Sequence, residues 1–295
     1  MPGDARHRRS AARERDVSTL HRAISLWRLS ALAAALLLVG SSVGAQLQGD
    51  RVRTRGASLA TLEDFDGGFQ FCRVVFRTSP DGDGNGWNVD WPRADENLSI
   101  RLSELTRTSV SRDRDGQVKH LLVRLTDPLL SHCPFVMMTE PGGADFDAQE
   151  AAALRNYLLK GGFLWADDFW GTAAFTFWTG QLGKALPPSA YPIVDLPLTH
   201  PMFHTVLAVS HVPQIPGIRY WLGSGGRTSE RGADSVEPHV RAISDERGRV
   251  MVLMTHNTDF GDAFEEEATN RDYFLRFAVD GYAFGVNTIV YALTH

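Results

Sequence analysis

Residues 135–170, FVMMTEPGGADFDAQEAAALRNYLLKGGFLWADDFW, decide the fold. Phe135–Thr139 is short and almost wholly apolar, the pattern of a strand buried on both faces. Asp147 with Glu150 three residues on forms a capping box, and Phe146 can staple against Ala151. Leu154, Tyr157 and Leu158 then share one helical face, and Gly161 supplies the stop. Phe163–Ala166 is a second buried strand. Strand, helix and strand within about 30 residues make a βαβ unit, which requires a parallel sheet covered on both sides.

The flanks extend this α/β pattern. Upstream, 71–77 (FCRVVFR) reads as a strand, a loop rich in Gly, Asp and Trp follows from 78 to 94, and Leu98, Leu102 and Leu105 fall at helical spacing. Downstream, 245–248 turns into an apolar strand at 250–255. A long apolar helical stretch from Tyr273 to Leu293 closes the chain, with Gly281 and Gly285 expected to interrupt it.

Residues 46–68 lack apolar periodicity and read as a linker, so a single domain is expected over 69–295. Ahead of it, 29–45 (LSALAAALLLVGSSVGA) is an uncharged run of 17 residues ending in the small-residue pattern Val43-Gly44-Ala45. Seven arginines precede it against three acids. A spanning helix needs about 20 apolar residues, so 1–45 reads as a signal peptide or a membrane anchor. The charge asymmetry places the following domain outside the cytoplasm, in the periplasm, either soluble after cleavage near Ala45 or anchored to the inner membrane. Membrane contact is expected only through 29–45.

The basic leader carries +4 of a whole-chain charge of −5, so the remainder holds −9. An acidic domain is a poor nucleic-acid binder, since phosphates need a basic face. Cys72 and Cys133 are the only cysteines, too few for a Cys-based zinc site or a disulfide-dense scaffold. In an oxidising compartment they can form one bridge.

Ligands of open parallel sheets sit beyond the carboxyl ends of the strands. Here those ends are polar. Asp167, Asp168 and Trp170 follow one apolar strand; His256, Asp259 and Asp262 follow another. Trp87 and Asp90 lie in the loop after the first strand, and Glu140 follows FVMMT. Asp167, Asp168 and His256 are the candidates for acid–base or metal-assisted chemistry; Trp87, Asp90, Glu140, Trp170, Asp259 and Asp262 are the candidates for holding a ligand. Each has a plainer alternative. Adjacent residues of an extended chain face opposite ways, so one Asp of the pair can merely cap the next segment, and His256 can be a hydrogen-bonded structural histidine. Residues 81–86 (DGDGNG) imitate the start of a calcium loop, but Pro92 stands at the twelfth position and no helix precedes it. No nucleophile elbow of G-x-S-x-G type, zinc-protease helix motif or P-loop occurs. A divalent metal is compatible with these residues, and no cofactor is demanded by them.

The segments 87–106 (WNVDWPRADENLSIRLSELT), 124–142 (RLTDPLLSHCPFVMMTEPG), 150–171 (EAAALRNYLLKGGFLWADDFWG), 196–204 (LPLTHPMFH), 256–265 (HNTDFGDAFE) and 285–295 (GVNTIVYALTH) together resemble the bacterial family known as domain of unknown function 4159. The resemblance covers essentially the whole exported part. It implies a doubly wound, mostly parallel sheet of flavodoxin or class I glutamine amidotransferase-like type. In that strand order the strands bearing Cys72 and Cys133 are neighbours, which makes a disulfide between them feasible. Class I amidotransferases place a nucleophilic Cys on a tight turn after a strand; the corresponding turn here carries Asp167-Asp168, and both cysteines belong to the opposite end of their strands. Amidotransferase activity is therefore not expected. The leading expectation is a non-amidotransferase domain binding a polar small molecule such as a sugar, or a periplasmic or membrane protein partner. The alternative is a hydrolase using an Asp/His cleft.

Overall fold

Strand, helix and strand do succeed one another between 135 and 169 in a computed structural model that describes residues 58–295. The expected targeting segment lies outside the described residues. Within them, no helix is long and apolar enough to cross a membrane. The elements run β1 (Phe71–Val74), β2 (Arg77–Thr78), α1 (Arg93–Leu105), β3 (His120–Val123), β4 (Phe135–Thr139), β5 (Ala144–Asp145), α2 (Ala148–Leu159), β6 (Phe163–Phe169), α3 (Gly171–Ala185), β7 (Val194–Asp195), α4 (Ile218–Gly223), β8 (His239–Ser244), β9 (Val250–His256), α5 (Phe260–Glu265), α6 (Arg271–Tyr273) and α7 (Val279–Thr294), with a π-helical turn at Phe274–Ala278.

The protein is an α/β domain on a seven-stranded sheet, ordered β3-β1-β4-β6-β9-β8-β7. The first five strands are mutually parallel, and β8 and β7 add antiparallel pairs at one edge. Side chains alternate across it, so Phe71, Phe135, Phe163, Trp165 and Leu253 join one core with α1, α5 and α7. Trp165 anchors that core: its ring meets Phe260 edge-on at 5.5 Å and Phe284 at 6.0 Å, and its Nε1 donates to Thr255 Oγ1 at 2.8 Å. On the other face α2 and α3 pack together, with Leu154, Leu158 and Trp178 fully buried. The capping box of α2 forms as its spacing requires, Asp147 accepting from Gln149 and Glu150 N–H while Glu150 returns to Asp147.

Three expectations are corrected. The linker ends before 68: Leu59 bridges Leu122, Ala60 N–H donates to Leu122 O at 2.9 Å, and Asp66 accepts from Ser111, so 59–68 edge the sheet beside β3. The run 71–77 is not one strand; β1 stops at Val74 and β2 leaves to pair with β5. Gly281 and Gly285 do not interrupt the closing helix. A Cβ on Gly281 would come within 2.9 Å of Ala263 Cβ, and one on Gly285 within 2.9 Å of Phe264 Cζ, so both let α7 approach α5 closely.

Candidate ligand-binding cleft

At the carboxyl edge of the parallel strands the backbone leaves its usual conformations. The described non-glycine residues with positive φ are Asp90 (60°), Glu140 (48°), Asp168 (58°) and Asn257 (61°). Each belongs to the exit of a different parallel strand: the β1–α1 loop, the end of β4, the end of β6 and the residue after β9. Left-handed backbone outside glycine is sparsely populated and gathers at functional sites. Here it bends three carboxylates into one cleft.

That cleft holds about 650 Å³ and is lined by nine carboxylates against Arg219 and Arg231. Arg231 is paired with Asp83, its Nη2 donating to both carboxylate oxygens at 2.7 and 2.8 Å. Asp168 is buried and accepts from Trp170 Nε1 at 2.9 Å, which sets the indole against the cleft wall. Glu140 takes both the N–H and the side-chain amide of Asn85. Asp259 caps α5 by accepting from Asp262 N–H at 2.7 Å, and Asp262 accepts from Ile218 N–H. Asp90 lies over α5, its Oδ2 enclosed without a hydrogen-bond partner.

Burial and crowding make these acids hard to ionise. Asp90 is pushed well above the usual carboxylate range by burial, then by Asp262. Asp168 is raised by burial, then by Glu140 and Asp90. Asp259 is raised by burial, then by Asp168 and Asp262. Asp262 is pushed up to about 7, again first by burial. The geometry can hold protons or positive charge; it offers almost no free cation to an anion.

The structure separates the candidates. Asp90, Glu140, Asp168, Trp170, Asp259 and Asp262 line the cleft. Asp167 does not: the turn at Asp168 sends the neighbouring side chains apart. Asp167 is buried beneath, accepting from Thr255 Oγ1 and from Gly261 N–H at 2.9 Å, with burial raising its pKa to about 7. Trp87 is buried too. Its ring packs on Trp91 at 5.7 Å and its carbonyl accepts from Arg73, so it supplies no aromatic wall. His256 is a tether rather than a cleft residue. Nε2 donates to Gly171 O at 3.0 Å, Nδ1 accepts from Arg241 at 3.1 Å, and the ring stacks on Phe169. Burial lowers its pKa to about 4, which keeps it neutral.

The glycine loop at 81–86 lies over the cleft rim beside Glu140. It packs on the β4 exit, where a Cβ on Gly84 would meet Glu140 O at 2.6 Å. Sequence reasoning missed Arg73 and Asp95. They form a fully buried ion pair, and Arg73 Nη1 also donates to Val89 O at 2.9 Å, holding the loop that presents Asp90. The signal was an arginine inside an otherwise apolar strand.

The fold and site define an α/β domain with an acidic cleft at the carboxyl edge of its sheet. The chain belongs to the family described as domain of unknown function (DUF4159), whose sequence model matches residues 71–293. No curated protein matches it.

Proposed function

We propose that this is an exported binding domain whose cleft takes a small, positively charged ligand, and that it performs no amidotransferase reaction. The observation carrying this is the excess of carboxylates over free cations in one 650 Å³ cleft. A neutral sugar would leave that charge uncompensated, and a cation relieves it directly. The order of the parallel strands, in chain sequence 2-1-3-4-5, matches flavodoxin-like sheets, whose ligands sit at this edge. That order also supports the amidotransferase-like fold. Asp168 stands at a strand-to-helix turn, where such folds carry nucleophiles, yet burial and the neighbouring Glu140 and Asp90 oppose its ionisation and make it a poor nucleophile. The Asp/His hydrolase reading loses its dyad, because both ring nitrogens of His256 are engaged elsewhere. Export is supported by the disulfide between Cys72 and Cys133.

Calorimetric titration with spermidine, glucose and glutamate tests the reading. Spermidine should bind and glutamate should not. Asp168→Asn keeps a residue that tolerates positive φ and an acceptor for Trp170; it should leave the melting temperature nearly unchanged and weaken spermidine about tenfold, ~1.4 kcal/mol. Preferential binding of glutamate, or an Asp168→Asn variant that melts far lower with no change in affinity, would sink the proposal.

A further inference from the structure

Within the cleft, Asp90, Asp259 and Asp262 each offer one carboxylate oxygen, and these three oxygens lie within 4.8 Å of one another. Two of the residues have structural duties. Asp259 Oδ1 caps α5 and Asp262 Oδ2 accepts the Ile218 N–H, which leaves each with a second oxygen. Asp90 has no such duty. The residue is 6% exposed, and its Oδ2 is closed off from solvent with no donor in reach. A buried acceptor without a partner costs folding free energy, and a charged one costs more. The nearest buried guanidinium, Arg73, is already committed to Asp95.

The backbone around that oxygen is shaped to admit it. Asp90 adopts φ 60°, and a Cβ on Gly261 would lie 2.1 Å from Asp90 Oδ2. Position 261 sits between Asp259 and Asp262 on α5. Asp167, from beneath, holds the Gly261 N–H. Thus the unsatisfied oxygen faces the missing side chain of Gly261, on the short stretch that carries the other two carboxylates.

We infer that Asp90, Asp259 and Asp262 form a binding site for a hard divalent cation of the calcium class. The inference rests on the reading of the cleft as a site for positive charge, and names the first charge it takes. The donors are all oxygens, with no Cys or His among them, the set that suits calcium, magnesium or manganese rather than zinc or copper. Calcium's flexible coordination suits three carboxylates fixed by a loop and a helix start, whereas magnesium demands a near-ideal octahedron and gives up its waters reluctantly. Waters or a ligand's own oxygens would fill the remaining positions from the open side of the cleft.

The test is calorimetric titration of the EDTA-treated protein with CaCl2, MgCl2 and MnCl2. Calcium should bind one ion per chain with a dissociation constant of about 10⁻⁵ to 10⁻³ M, tighter than magnesium, and raise the melting temperature by several degrees. Asp90→Asn should lose at least tenfold in calcium affinity. Gly261→Ala is the second variant: it keeps all three carboxylates, yet its methyl displaces Asp90, so it should lose affinity as well. Absence of calcium binding at 10 mM, or undiminished affinity in both variants, overturns the inference. If calcium fails while spermidine still binds, the metal site falls and the cationic cleft stands; if neither binds, both fall.

Discussion

The two ends of one parallel sheet are built on opposite terms. At the amino-terminal end, Cys72 and Cys133 are bridged, with Cα atoms 6.1 Å apart, and join β1 to the segment entering β4. Beside them the Tyr157 hydroxyl donates to Cys133 O at 2.9 Å and accepts from Phe163 N–H at 3.2 Å. Arg249 closes the end of α2 by donating to Leu158 O at 2.8 Å and Gly162 O at 3.1 Å. At the carboxyl end the same strands deliver left-handed residues, crowded acids and an unpartnered oxygen on Asp90. Structural polar groups satisfy one another, as at the first end. An unpartnered carboxylate oxygen in a folded core calls for an explanation, and the positive charge of a ligand supplies one.

The largest effect should come from the satisfied end. The bridge closes a loop of 61 residues, so a Cys72→Ala/Cys133→Ala double variant should lose about 4 kcal/mol of stability by loop-closure entropy. Chemical denaturation measures this. Spermidine affinity of the folded fraction should stay within a factor of two, since neither cysteine touches the cleft. A large loss of affinity would mean that the two ends are not independent.

The open end should reveal itself through pH. Asp167 and Asp262 have folded pKa values of about 7, and Asp90, Asp168 and Asp259 are also raised. Each binds its proton more tightly folded than unfolded. Their contribution is fully present below about pH 4; that of Asp167 and Asp262 is lost as pH climbs through about 7, and that of Asp90, Asp168 and Asp259 as it climbs through their raised pKa values. His256 works in the opposite sense: its pKa falls to about 4 on folding, so its contribution is present above about pH 6.5 and lost as pH falls towards 4. One histidine is outnumbered by five carboxyls. The cation-free protein should therefore be less stable at pH 7.5 than at pH 5.5, by at least about 2 kcal/mol. Melting curves across that range check it, and a flat or rising profile would remove the electrostatic basis of the cleft.

How much of this was legible depended on whether a residue's role follows from local pattern. The βαβ unit was, because short apolar runs and capping chemistry at 135–169 are local signals. The cleft was partly legible: polar residues after apolar strands pointed to Asp90, Glu140, Asp168, Trp170, Asp259 and Asp262, all of which line it. Side-chain direction was not legible at Asp167-Asp168, where a single left-handed residue decides which acid is inside and which lines the cleft. The roles of Gly281 and Gly285 were misjudged because close helix approach depends on partners distant in sequence. Arg73 shows the same limit, since its partner Asp95 lies 22 residues away on α1.

His256 marks where pattern and geometry part most clearly, and it carries the smallest expected effect. Strand periodicity put it at the correct edge, next to acids, where a histidine invites a catalytic reading. The structure turns its ring to the face packed by α3, between Arg241, Gly171 and the rings of Phe169 and Phe175. Its two hydrogen bonds link β8 and β9 to the first residue of α3. At about 1 kcal/mol each, partly offset by solvent entering the gap, His256→Ala should cost about 1–2 kcal/mol. Spermidine and calcium affinities should be unchanged, because no atom of the ring lines the cleft. His256→Gln should recover part of the loss, since its amide can still donate towards Gly171 O. A His256→Ala variant with intact stability and abolished binding would reverse the assignment, placing the histidine back in the site and reviving the hydrolase reading.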